Sequence, residues 1–384
     1  MILKNCSIIT QNSNRDIIPR GFLVIKNDKI IEIGNGVPKK KYRKEEVLNL
    51  ENKTILPGFI NTHCHLGDLI YKENIDKIKS PKNILEITNN FDSKISEKKL
   101  EIEKQKSCLR TLAIHSENGV TTLAGGRGME EAPKYSIRFL GGKMITGKES
   151  ILHKLNKIKE ECNNSSLLFP GILLHSLLEI PLDNLSSFKK IADISDFTLM
   201  LHLAEFPEEK KLVFKKHGKE RIDLLQELGI LSKERKTILV HGNFLEEKEI
   251  RQLSKYNVGF SLCPTSSKKF NFKTVNLKLL EKYGVKKSIA TDGPLTNPEL
   301  NLIKDTQLFN NQEKVSSQKA LDYITIEAAQ VLGVDEVIGS LEPGKFADIL
   351  VLDDNQSIGE IFKNKDLKIS FVIKGGKIEY KKTC

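Results

Sequence analysis

The sequence predicts an α/β fold, a (β/α)8 barrel with a small β domain shared by the two ends of the chain. Three patterns predict it. Residues 56–335 repeat an apolar strand, a polar loop and, between most strands, an amphipathic helix, with eight strand candidates in all. The first 55 residues are short strand patterns separated by turn signals such as Lys26-Asn27-Asp28. After residue 335 strand patterns return, so the two ends of the chain look alike. An open doubly wound sheet is the rival, but no G-x-G-x-x-G follows an early strand.

Taken in order, "MILKNCSIIT", "GFLVIKNDKIIEIG" and "EVLNLENKTILP" are strands of the small domain, residues 1–55. The barrel, residues 56–335, offers "FINTHCH", "VTTLAGG", "KMITG", "LLFPGILLHS", "TLMLHLAE", "KTILVHG", "VGFSLCP" and "KSIATDG" as its strands. Helical periodicity fills 97–117, 148–161, 208–229, 246–255 and 274–283, and a last helix covers about 316–332. The segments "GSLEPGKFADILVLD" and "ISFVIKGGKIEY" complete the small domain within 336–384.

Bulk properties narrow the function. The 384 residues are 39% hydrophobic and 29% charged, which suits a globular protein with one large and one small domain. No run of about 18 apolar residues is present, and the N-terminus lacks the apolar centre of a signal peptide, so no membrane association is expected. Six scattered cysteines without C-x-x-C spacing point to reduced thiols and a cytoplasmic protein. The net charge of +11 raises a nucleic-acid partner. Its lysines, however, alternate with glutamates, as in "SEKKLEIEKQK", the pattern of solvated helix faces, so no nucleic acid is expected. The expected partner is a small-molecule substrate, and the chain admits a homo-oligomer.

The stretch "GFINTHCHLGD" (58–68) puts His63 and His65 one residue apart behind an apolar run. In an extended chain both imidazoles project to one face. Alone the pair says little, since a strand-end histidine also bonds loop carbonyls. His202 in "LMLHLAE", His241 in "ILVHGN" and Asp292 in "SIATDG" also end apolar runs. Strand C-termini converge on one face of a barrel, so these residues become neighbours. Nitrogen and oxygen ligands from separate strands, completed by water, make a catalytic divalent site.

On "LPGFINTHCH", "HLAE", "VHGNFL", "SLCPTSS", "ATDGPLTN" and "IGSLEPGKFADILVLD" the chain resembles the amidohydrolase superfamily over nearly its whole length. The branch is that of cytosine, guanine and adenosine-derivative deaminases and chlorohydrolases, with the S-adenosylhomocysteine and methylthioadenosine deaminases nearest in look. The resemblance implies a distorted (β/α)8 TIM barrel with a β-sandwich formed by both termini. It implies one divalent metal per chain, Zn2+ first and Fe2+ second, held by His63, His65, His202 and Asp292. His241 would orient the attacking water or the substrate, and Asp292 would receive a proton. Glu205, in H-x-x-E, would protonate a ring nitrogen and pass a proton to departing ammonia. An amidine carbon is a poor electrophile until that nitrogen is protonated.

His175, Arg127, Arg138 and Asp68 are the expected substrate-binding residues. His175 ends the fourth strand, and packing or hydrogen bonding there is the alternative; Asp68 has loop capping as its alternative. Arg127 and Arg138 stand near the second and third strand ends, where these relatives hold a carboxylate or ribose. His115, His153 and His217 lie in helical or polar stretches and are expected at the surface. "LLFPGILLHSLLE" has no lysine of the kind dinuclear relatives carboxylate, which favours one metal. The cytidine-deaminase fold would need P-C-x-x-C, which Cys263-Pro264 does not supply, and Cys263 reads as a buried strand cysteine. The segment after the first strand is short, and Ser267 stands where relatives usually have asparagine. The sequence therefore implies a hydrolytic deaminase of an aminated N-heterocycle. A cyclic-amide hydrolase or chlorohydrolase of the same superfamily, or an inactive relative that binds without catalysis, are the alternatives.

Overall fold

A computed structural model describes residues 1–42, 44–142, 151–179, 196–364 and 366–381. It contains two eight-stranded sheets. One is mixed and belongs to the chain ends: β1 (Ile2–Ile9), β2 (Ile17–Lys26), β3 (Lys29–Asn35), β4 (Val47–Asn49), β5 (Thr54–Pro57), β14 (Ile349–Leu352), β15 (Ile369–Lys374) and β16 (Lys377–Lys381). Its order is β16-β15-β14-β5-β1-β2-β3, with β4 paired to β1. The antiparallel pairing of β14 with β5 joins the last part of the chain to the first. Leu3, Ile8, Leu23, Ile55, Ile349 and Ile373 form its core.

The second sheet is the barrel: β6 (Phe59–Asn61), β7 (Val120–Gly125), β8 (Arg138–Gly141), β9 (Leu168–Ser176), β10 (Thr198–Leu203), β11 (Thr237–His241), β12 (Val258–Leu262) and β13 (Lys286–Ile289). Each strand pairs in parallel with the next in sequence. Where β13 meets β6, side chains bridge the sheet ends. Thr62 Oγ1 lies 2.7 Å from the hydroxyls of both Ser261 and Ser288, and Asn61 Nδ2 donates to Thr291 Oγ1 at 2.7 Å.

The strands are buried on both faces, as a barrel wrapped by helices requires. Ile60, Ala124, Leu140, Leu173, Met200, Ile238 and Val240 fill the interior. Leu123, Phe139, Leu174, Leu201, Leu239 and Phe260 pack outward among the helices.

The third strand differs from the sequence expectation. It is Arg138–Gly141, whereas "KMITG" (143–147) lies outside the described residues. A charged residue at the head of the strand hides its character in the sequence. Arg138 is nonetheless buried and forks onto Asp348, with Nε to Oδ2 at 2.5 Å and Nη2 to Oδ1 at 3.2 Å. Its guanidinium also lies 3.6 Å from the centre of the Phe346 ring. This pair ties the lower end of the barrel to the residues leading into β14.

Candidate active site

Alternation along the strands decides which side chains reach the barrel axis. In β10, Leu199, Leu201 and Leu203 join the outer core and Met200 the inner one, which turns His202 inward. Ala290 is an inner residue, so Asp292 two positions on faces the same way. Just past β6, Cys64 belongs to the outer core, leaving His63 and His65 on the inner side. Val240 is an inner residue as well, so simple alternation would turn His241 outward. A left-handed backbone at His241 (φ 73°) re-aims it, and its ring stacks on His202 at 5.3 Å between centroids.

These elements bring His63, His65, His202 and Asp292 together, with ligand atoms all within 4.8 Å of one another. Nε2 of His63 stands 3.1 Å from Nε2 of His65 and 3.1 Å from Nε2 of His202, and the His65–His202 distance is 3.3 Å. Asp292 Oδ1 is 3.4 Å from Nε2 of both His63 and His65. Neutral imidazole lone pairs repel at such distances, and one shared proton satisfies only one pair. A central cation satisfies all of them. Ligands about 2.0–2.1 Å from a zinc ion stand about 3.3–3.4 Å apart in a tetrahedron.

Outer contacts select the inward atoms. His202 Nδ1 donates to the His175 carbonyl at 3.0 Å, and Thr296 donates its hydroxyl to Asp292 Oδ2 at 2.8 Å. Burial pushes the His63 imidazole down to about 4 and holds His202 well below its ordinary value, so both are neutral. Burial raises the Asp292 carboxyl, but the His63 contact and the imidazoles of His241 and His65 outweigh it and hold the group well below the carboxylate range. The donor set fits a divalent metal.

Around this cluster stand the groups able to move protons. Glu205 Oε1 is 3.7 Å from His241 Nε2. Burial, reinforced by the charges of Asp292 and Glu209, pushes the Glu205 carboxyl well above its ordinary value, while burial lowers His241 to about 4. Their surroundings thus push two carboxyls of one pocket apart, Glu205 upward and Asp292 downward. Asp68 Oδ2 lies 4.0 Å from His65 Nδ1, and burial raises its carboxyl. His175, itself left-handed (φ 55°), places its ring 4.7 Å from that of His202, with Nδ1 2.5 Å from Glu179 Oε1.

Three expectations, those for Arg138, His115 and His217, are corrected. Arg138 begins its strand, so it lies at the barrel end opposite the cluster and is consumed by Asp348. Arg127, expected to contact substrate, is exposed and donates to Glu101 Oε1 at 2.9 Å. His115 is buried, with Nε2 3.2 Å from Cys64 Sγ, because the helix Glu97–Glu117 packs against the metal strand. His217 is half-buried and bonds the Leu177 carbonyl at 2.9 Å. The side chain of His153 lies outside the described residues, and Cys263 is buried as expected.

Sequence reasoning missed Glu209, Asn243 and Thr296. Glu209 looked like one more charge of a solvated helix, and only its place in the first helical turn after a strand end hints at a capping duty.

A parallel barrel with three histidines and an aspartate gathered at its strand ends defines a hydrolase that works with a divalent metal. Residues 54–378 match the Amidohydrolase family, and the chain belongs to that family. Its chemistry is hydrolytic and directed at C–N bonds. A 5-methylthioadenosine/S-adenosylhomocysteine deaminase from Bacillus cereus is 25% identical over 370 residues, covering 91% of this chain and 84% of its own. The structure of an adenosine deaminase from Xanthomonas campestris with bound zinc superposes with a TM-score of 0.82 at 16% identity, over 98% of this chain and 92% of that one. A zinc-bound atrazine chlorohydrolase from Arthrobacter aurescens gives 0.80 at 16% identity, over 98% and 94%. At that identity the two structures speak for the fold alone.

Proposed function

We propose that this protein is a cytoplasmic, zinc-dependent deaminase of an aminated N-heterocycle, with a purine nucleoside derivative as its substrate. The observation that carries the reading is the place of Glu205: a half-buried carboxyl 3.7 Å from His241 beside a four-donor metal set, pushed well above its ordinary value by burial, where a ring nitrogen needs an acid. The name of the Bacillus relative supports the nucleoside class, and the free thiols of Cys6, Cys64, Cys108, Cys162 and Cys263 support the compartment.

His63, His65, His202 and Asp292 would hold the ion, whose chemistry is to make water a usable nucleophile at neutral pH. Asp292 takes the proton that water loses on attack. Glu205 delivers its proton to the ring nitrogen beside the reacting carbon; the proton taken by Asp292 passes to the amine, the C–N bond breaks to release ammonia, and the hydroxyl left on that carbon returns its proton to Glu205 as the carbonyl forms. His241 fixes the direction of attack from its place against Glu205. His175 and Asp68, flanking His202 and His65, would contact the sugar or the heterocycle. Cys263 shares a close group with His241 and Asp292, but β9 has no lysine to bridge a second ion, which supports one ion per chain.

A panel of aminated purines, pyrimidines and their nucleosides, assayed for ammonia, tests the reading. Release is expected from a purine nucleoside, and Glu205→Gln should slow it by roughly 10²-fold or more while the ion stays bound. A fully active Glu205→Gln variant would remove the acid from the mechanism. Chloride release or ring opening in place of ammonia would move the assignment to the chlorohydrolase or cyclic-amide reading.

A further inference from the structure

Glu205 works only if its carboxyl is held toward His241, yet it sits on the loop leaving β10. The preceding residue, Ala204, is fully buried with a left-handed backbone (φ 57°), a region disfavoured by any residue with a Cβ. Such a turn persists only where its surroundings enforce it. Here one carboxylate does so. Glu209, four residues on and 4% exposed, accepts the Ala204 N–H on Oε1 at 2.6 Å and the Glu205 N–H on Oε2 at 2.8 Å.

The next peptide, between Glu205 and Phe206, is also held. Asn243 Nδ2 donates to the Glu205 carbonyl at 3.2 Å, and Asn243 Oδ1 accepts from Ser267 at 3.2 Å. Behind Glu209 stands Arg221, 1% exposed, with Nη1 3.7 Å from Oε1. Arg221 forks onto Glu249 at 2.7 and 2.8 Å and donates to the Phe244 carbonyl at 2.6 Å. The Phe244 N–H in turn reaches the Ala204 carbonyl at 3.0 Å. The loops after β10 and β11 are therefore one bonded unit around Glu205.

We propose that Glu209 is a positioning residue for the general acid: its buried carboxylate clamps the Ala204 and Glu205 amides and so fixes the Glu205 carboxyl against His241, an inference that rests on the deaminase reading for its kinetic consequence. Among the described residues the Glu209 carboxylate meets the two amides and Arg221, and it is not one of the four metal donors. Its effect passes through Glu205 alone. A glutamine there can accept from one of the two amides and turns an N–H against the other.

The test is a double-mutant cycle on the metal-loaded, full-length chain. Glu209→Gln should keep the ion, leave KM within about 3-fold and lower kcat by roughly 10- to 100-fold, the cost of misplacing a reacting group by about an ångström. In a Glu205→Gln background the same change should add less than about 2-fold, because the group it positions is already gone. An unchanged kcat, or losses that multiply in the double variant, would overturn the proposal. If Glu209→Gln does not fold, Asn243→Ala enters the same cycle under the same criteria.

Crystal structures of the wild type and the variant add a readout independent of turnover. The Glu205–His241 separation should widen from 3.7 Å while the metal ligands stay in place. An unmoved Glu205 contradicts the clamp. If the wild type releases no ammonia from any compound offered, the deaminase reading fails, and the crystal structures alone decide the positioning claim.

Discussion

The His63 imidazole faces two other histidines and a carboxylate across distances that suit a shared ion and little else. Removing one donor leaves lone pairs with no partner and an open edge in the ligand set. We expect His65→Ala and Asp292→Asn each to lose the ion or, where it is retained, all turnover, measured by elemental analysis beside the ammonia assay. His175 approaches from the side of the cluster and touches no reacting atom in the proposed chemistry. His175→Ala should therefore raise KM more than it lowers kcat, and should narrow the preference for a nucleoside over its free base. A free base turned over better than its nucleoside, with His175→Ala neutral, would make His175 a packing residue. The residues legible in the sequence were those whose direction follows from strand alternation, such as His63, His65 and His202. Arg138, His115 and Glu209 were not legible. Each is defined by a partner that sequence spacing does not announce: Asp348, the Cys64 sulfur and two backbone amides.

At the scale of elements, the weight falls on the joint between barrel and small sheet. The Arg138–Asp348 pair is buried on both sides, and Asp348 also accepts from the Gly375 amide at 2.9 Å. Asp348→Ala leaves a guanidinium buried without its counter-ion. We expect a loss of about 3–5 kcal/mol in unfolding free energy, with the metal site unaltered in the protein that remains folded, measured by denaturant titration. A second joint is Lys374 of β15, which donates to Ser116 Oγ at 2.8 Å and to the Tyr135 carbonyl at 2.7 Å. Burial lowers its ammonium from 10.5 to about 8. Between those values the unfolded chain binds the extra proton, so this residue's contribution to stability rises as pH climbs through 8 toward 10.5. Unfolding curves of wild type and Lys374→Met, compared between about pH 7.5 and 9, should therefore converge or cross as pH rises in favour of the wild type. A difference independent of pH would show that Lys374 keeps its ordinary affinity for a proton in the fold and stays charged in the folded joint. The strand expected at "KMITG" shows why element boundaries are harder to read than element types. Apolar content pointed past the true strand, because the burial of Arg138 depends on a residue 210 positions away.

For the whole molecule, the order of eight parallel strands and the mixed sheet of both termini were written in the rhythm of the sequence. Local periodicity is what builds them. What sequence rhythm does not carry is the bonded unit of loops after β10 and β11, which holds the backbone of the strand-end Glu205. Together, fold and loops gather a four-residue candidate metal site with Glu205 and His241 beside it on one face of a barrel. That arrangement stands or falls with the ion. Elemental analysis of the full-length chain, purified without chelators, is the most direct measurement. One divalent ion per chain, with zinc in excess of iron, is the expected result. Two ions per chain, or none after reconstitution with zinc, would contradict the account.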